Sequence, residues 1–140
     1  MRSFAKFTAA LRRKLGATVV RTDDAPCAAA SYDSSRLPFM PEAVIFPAAE
    51  SDIGVVLVLA NKGGVPVTTR GRGTTLTGGA APLRGGWVID MMSLNKIEIN
   101  EDAGMAHVQC ECRGDPARGG GEGLVLSARP VFEGILHHRW

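Results

Sequence analysis

A chain of 140 residues with a formal net charge of +2 has the size of one ordinary domain and too little charge to argue for a nucleic-acid partner. Its mean hydropathy of +0.05 is that of a water-soluble globular protein. The longest apolar run, 55–60, is far shorter than the roughly 20 residues of a membrane span, and the charged first sixteen residues lack the apolar core of a signal peptide.

The expected location is therefore the cytoplasm. The three cysteines, Cys27, Cys110 and Cys112, agree with this as free thiols in a reducing compartment. A Cys-x-Cys pair with no second pair or suitably spaced histidine is not a zinc site, and a bridge between such near neighbours would be strained.

The chain opens with a predicted helix. Ser3 stands as its N-cap, Phe4, Phe7, Leu11 and Leu15 recur at spacings of three and four, and Arg12, Arg13 and Lys14 precede Gly16. The apolar stripe reads as a packing face, with a partner-binding helix as the other reading. Residues 17–21 read as a short extended piece. Residues 22–40, with Asp23-Asp24, Pro26 and Pro38, read as irregular, and Tyr32 within them reads as a half-buried packing residue.

A strand is predicted at 44–46, and Ser51-Asp52 should cap a helix over 53–62 that closes at Gly63-Gly64. That helix is apolar on nearly every face, which predicts burial against a sheet. A second strand at 65–69 completes a βαβ unit with parallel strands and a right-handed crossover. A third strand follows at 87–92. Asp90 at its end reads either as a surface carboxylate or as a group acting on a ligand hydroxyl. Residues 97–100 and 105–109 then form a predicted hairpin around an acidic turn.

Between the second and third strands lies Arg70-Gly71-Arg72-Gly73-Thr74-Thr75-Leu76-Thr77-Gly78-Gly79. Glycines permit positive φ and close approach of the backbone to a ligand, and successive exposed N–H groups make an anion-binding concavity. Two arginines and the hydroxyls of Thr69, Thr74, Thr75 and Thr77 add donors. The stretch reads as a phosphate cradle, with a glycine-rich surface loop as the plain alternative. It is not GxxxxGK[ST], and Leu76 stands where GxGxxG requires its third glycine, which argues against a Walker ATPase or a Rossmann dehydrogenase.

The stretch 64–80 resembles G-V-P-V-x-x-R-G-x-G-T-x-L-x-G-G-A. This is a pattern of FAD-linked oxidases of the vanillyl-alcohol oxidase and p-cresol methylhydroxylase (PCMH) type, which include the glycolate oxidase FAD-linked subunit and FAD-dependent D-lactate dehydrogenases. Arg72 replaces the family's usual small residue, and Thr69 its frequent proline. Pro41-Glu42-Ala43-Val44-Ile45-Phe46-Pro47 is similar to the family's P-x-x-V-x-x-P, with Ser31-Tyr32-Asp33-Ser34-Ser35-Arg36 as its lead-in. Ser93-Leu94-Asn95-Lys96-Ile97 is similar to the later part of D-L-S-x-x-N-x-I.

The resemblance implies an α+β fold, the incomplete first lobe of a PCMH-type FAD-binding domain, with a βαβ unit followed by a strand and a hairpin. It implies FAD as cofactor, with the pyrophosphate held by Arg70, Gly71, Arg72, Gly73, Thr74, Thr75, Leu76, Gly78 and Gly79. A full-length relative would oxidise a 2-hydroxy acid such as glycolate or D-lactate by hydride transfer to the flavin, then pass electrons to an acceptor partner.

The expected organisation is a helix and lead-in over 1–39, the partial FAD domain over 40–109 and a disordered tail over 110–140. In that tail neither a helical nor a strand period survives. The family continues with P-G-V-V, a helix and F-Y-P-P-D-P-S-S…S-T-I-G-G-N, whereas this chain reads Cys110-Glu111-Cys112-Arg113-Gly114-Asp115-Pro116 and ends at Trp140.

Codons compatible with Val125-Leu126-Ser127-Ala128-Arg129-Pro130-Val131-Phe132-Glu133, read one base later, spell F-Y-P-P-D-P-S-S. Continued through Trp140 they spell a lysine and A-F-S-T-I-G-G, and residues 112–123 yield V-V-V-T-L-H-A-E-V-E-K-A. One extra base near the codon for Glu111 accounts for all three matches. The chain is then expected to be inactive by itself. The alternatives are a non-enzymatic phosphate- or nucleotide-binding module and an inert frameshift remnant.

Overall fold

The computed structural model describes residues 4–100 and 104–109. The expectations for the acidic turn residues 101–103, Cys110, Cys112 and the tail lie outside the described residues.

Helix α1 (Ala5–Leu15) starts with Phe4 at its N-cap, where the sequence had suggested Ser3. The reason is tertiary. The Glu42 carboxylate, far along the chain, accepts the Phe4 N–H at 2.8 Å and the Thr8 hydroxyl at 2.6 Å, so a distant acid supplies what a local cap would have supplied. Thr8 in turn accepts the indole N–H of fully buried Trp87 at 2.8 Å. Replacing Thr8 by valine keeps the shape but leaves that indole donor buried and unpaired. The expected loss is about 1–3 kcal/mol, seen as a lower urea midpoint with an unchanged slope; an unchanged midpoint would show that the hydroxyl contributes nothing.

Strand β1 (Val20–Arg21) covers only the end of the expected extended piece, because residues 17–19 form a turn. A helix the sequence reading missed follows: α2 (Asp24–Ala29) lies within the stretch expected to be irregular. Pro26 misled that reading. It sits in the first turn, where a missing N–H breaks no helical bond. Cys27 and Ala30 from this region pack on Val44 and Val88.

Strand β2 (Ala43–Ile45) leads to α3 (Glu50–Gly63), which begins before the expected Ile53. The Asp52 carboxylate accepts the N–H groups of Ala48 and Ala49 at 2.8 and 3.2 Å and so fixes the start. Gly64 closes the helix in the left-handed conformation at φ 60°. The expectation of burial all round needs correction. Val56 and Ala60 are buried, whereas Leu57 and Val58 are 51% and 57% exposed. Only one face of α3 meets the sheet and α1.

Strands β3 (Val67–Arg70) and β4 (Trp87–Asp90) complete a four-stranded sheet in the order β1-β2-β4-β3. The strands β2 and β3 are parallel to β4, which lies between them, and β1 pairs with β2 antiparallel. Alternation distributes the side chains. Ala43, Ile45, Trp87 and Ile89 face one side, with Leu11, Val56 and Ala60 from the helices, and Val44 and Val88 face α2 on the other. A 3-10 turn (Met91–Ser93) then leads into an antiparallel hairpin, β5 (Ile97–Asn100) and β6 (Met105–Val108). The architecture is α+β, as expected. Among the described residues no helix is long and apolar enough to cross a membrane.

Candidate functional site

The glycine-rich loop leaves the C-terminal end of β3, on the side of the parallel strands where α/β units commonly place ligand loops. Gly73 and Gly78 adopt φ of 67° and 76°, which turns the backbone inward without the penalty a side chain would bring. Among the described residues, the N–H groups of Gly73, Thr74, Thr75, Leu76, Gly78 and Gly79 meet no acceptor. Gly78 is also buried. Backbone donors without a partner in the fold are left to water or to a ligand, and Gly78 and Gly79 line a groove beside the loop. A row of such donors around positive-φ glycines fits an anion such as a pyrophosphate.

The side chains of the loop divide by position. The hydroxyls of Thr75 and Thr77 lie 2.8 Å apart, and Thr75 also accepts the Thr77 N–H at 3.3 Å, which stiffens the tip. Leu76 and Arg72 are exposed. The Arg70 guanidinium points back under the loop: Nη1 donates to the carbonyls of Tyr32 at 3.0 Å and Ala29 at 3.3 Å. Its Nη2 lies so close to Gly73 that a Cβ there would stand 2.2 Å from it. The groove beside the loop, of about 440 Å³, is lined by residues that include Pro66, Thr68, Gly78, Gly79, Leu83 and Arg84.

The support of this loop comes from a segment far away in the chain. Residues 29–36 lie beneath it. The Ser34 N–H donates to the Gly73 carbonyl at 3.1 Å. Asp33, only 2% exposed, accepts the Ser35 N–H at 2.9 Å and the Ala80 N–H at 3.4 Å. The Ser35 hydroxyl beside it, together with the Ser35 and Ala80 N–H groups, holds its carboxyl below the usual aspartate range and outweighs its desolvation. The available signal was Asp33-Ser34-Ser35, since an Asp that bonds the backbone two residues on makes an Asx turn.

Other candidates resolve simply. Asp90 accepts the Met92 N–H at 3.0 Å and so caps the 3-10 turn, the plainer of its two readings. Tyr32 is 51% exposed and joins neither core cluster, so the expected half-buried packing residue is a surface one. The buried Cys27 thiol is pushed up by desolvation and by the Asp24 and Asp23 carboxylates, away from nucleophilic character.

Comparison with known proteins agrees with this arrangement. A model of the FAD binding domain matches residues 41–118, more than half of the chain. The glycolate oxidase subunit GlcD of Bacillus subtilis (strain 168) is 40% identical over 81 residues, covering 56% of this chain and 17% of that protein. The D-lactate dehydrogenase of Archaeoglobus fulgidus is 34% identical over 59 residues, covering 42% of this chain and 13% of that protein. The chain thus spans less than a fifth of the length of these two relatives. Among solved structures, p-cresol methylhydroxylase shares the fold with a TM-score of 0.60 at 23% identity, over 69% of this chain and 20% of that one. By its matched residues and its fold, the chain belongs to the FAD binding domain family, as part of a PCMH-type domain, and FAD is its cofactor.

Proposed function

We propose that the loop of Arg70, Gly71, Arg72, Gly73, Thr74, Thr75, Leu76, Gly78 and Gly79 holds the FAD pyrophosphate. The row of unpartnered loop amides around the positive-φ glycines Gly73 and Gly78 supports this reading most directly. Backbone amides are the main ligands, and the hydroxyl of Thr74 adds a donor. Arg70 lies behind them and supplies positive charge close to the loop. When bound, FAD supplies the hydride-accepting chemistry, and the part played by these residues is binding and orientation.

The whole oxidoreductase then acts on a 2-hydroxy acid such as glycolate or D-lactate and passes electrons to an acceptor partner. The names of the two curated relatives support this choice. The 140-residue chain binds FAD in the cytoplasm without turning over these acids.

Titrating the chain with FAD, followed by flavin fluorescence, tests the proposal. Saturable binding that pyrophosphate displaces is expected. Gly78→Ala places a side chain at φ 76° and should weaken binding about 10-fold, a loss of roughly 1.4 kcal/mol. No saturable binding would leave an inert remnant. Equal displacement by ATP and by FAD would favour a general nucleotide-binding module.

We also infer that residues 112–140 are read out of frame. The family match runs through residues 112–118 of this stretch and stops short of residues 125–140, where the shifted frame spells the family signature. Resequencing the DNA across the codons for Gln109 to Arg113 and past Trp140 tests this. Absence of one base would restore a longer flavoenzyme frame. If no frame downstream encodes P-P-D-P-S-S or T-I-G-G-N, the inference fails.

A further inference from the structure

We infer that residues 29–36, which lie before the family-matched span, are a working part of the FAD site, with Asp33 as the positioning residue that holds the loop open for the cofactor. Four hydrogen bonds join this segment to both ends of the cradle. Arg70 at the entry bonds the carbonyls of Ala29 and Tyr32, Ser34 bonds the Gly73 carbonyl, and Asp33 bonds the Ala80 N–H at the exit. The inference rests on the proposed role of the loop.

The physical reason concerns the loop's own chemistry. A stretch with four glycines between Arg70 and Ala80 has large conformational freedom, which must be lost before its N–H groups converge on one anion. Bonds made before the ligand arrives lower that cost, which is preorganisation. Asp33 suits the task because a buried carboxylate accepts two N–H bonds at once and makes them charge-assisted. One of its oxygens shapes its own segment through Ser35, and the other reaches across to Ala80. The Ala80 N–H, engaged from behind, cannot turn towards the ligand, so Asp33 also determines which amides remain free in front.

The segment and the loop contain few other titratable groups. Within 29–36 and 70–81 Asp33 is the only carboxylate, the other charged side chains being Arg36, Arg70 and Arg72. An acid titration of this region therefore reports Asp33. Because its carboxyl is held low when folded, the bonds are complete above the ordinary aspartate pKa of about 3.9 and are lost as pH falls through the lower folded value.

Two measurements on the full chain test the inference. In the first, the amide signals of Ser35 and Ala80 are followed by NMR in acid. They should shift together with one midpoint below the ordinary aspartate range, and in Asp33→Asn the shift should vanish. In the second, FAD affinity is compared for Asp33→Ala and Asp33→Asn, with far-UV circular dichroism as the folding control. Asp33→Ala should bind FAD at least about 10-fold more weakly, while Asp33→Asn, which keeps an acceptor oxygen, should stay within about 3-fold.

Unchanged affinity in Asp33→Ala, or an Ala80 amide that ignores the titration, overturns the inference. If the wild-type chain binds no FAD, the reading of the loop fails, and the clasp is judged separately by hydrogen exchange at the Ser34 and Ala80 amides. Faster exchange in Asp33→Ala supports it and unchanged exchange overturns it. If Asp33→Ala does not fold, the wild-type titration and the Asn variant decide.

Discussion

Replacing Gly86 by alanine is expected to remove roughly 3–5 kcal/mol of stability, the largest single loss among the glycine positions. Gly86 has φ 76°, and a Cβ there would stand 2.2 Å from the Pro66 carbonyl oxygen. That contact is with backbone, so no side chain can swing aside. Nor can the backbone move freely. The Pro66 carbonyl accepts the Trp87 N–H at 2.8 Å, and the Gly86 carbonyl accepts the Glu42 N–H at 2.7 Å. Relief of the clash would therefore disturb the approach to β2 and to β3 together, next to buried Trp87.

The control is Gly54→Ala in α3. There a Cβ meets nothing within 4 Å, and the change should be neutral or stabilise by up to about 1 kcal/mol through helix propensity. Urea denaturation of both variants gives the comparison. A loss below about 1 kcal/mol in Gly86→Ala would mean that the β3–β4 junction relaxes more easily than its bonds imply.

Replacing Gly73 by alanine should weaken FAD binding by about 10- to 100-fold, equivalent to roughly 1.4–2.8 kcal/mol. Here the obstacle is the flexible end of Arg70, so the fold can accommodate the change by expelling the guanidinium. That expulsion breaks the bonds to Ala29 and Tyr32, and alanine at φ 67° strains the loop as well. The effect should fall mainly on binding and little on the urea midpoint. Arg70→Lys is the companion variant. It keeps the charge but not the forked geometry that spans two carbonyls, and an intermediate loss is expected. Isothermal titration with FAD measures both. Wild-type affinity in Gly73→Ala would show that the cofactor is held elsewhere.

How far these sites could be read from the chain depends on the distance over which each interaction acts. Helix α1, the α3 C-terminus at Gly64, the three parallel strands and the hairpin carry their signals within a few residues, and each appears close to its expected place. Helix α2 was hidden because Pro26 reads as a breaker unless its position in the first turn is known. The N-cap of α1 was misplaced because its acceptor, Glu42, is 38 residues away. Leu57 and Val58 were expected inside because composition alone does not say how many faces of α3 are covered.

The sequence by itself determined the cradle's composition, its place after a strand, and the FAD-linked resemblance carried by residues 64–80, since glycine spacing and β-branched runs are local properties. Only the tertiary structure decided that β4 lies between β2 and β3, that Arg70 turns back under the loop, and that Asp33 bonds Ala80, 47 residues further along the chain. Those outcomes depend on which distant backbone groups remain unpaired after the sheet has formed, and no pattern of neighbouring residues contains that information.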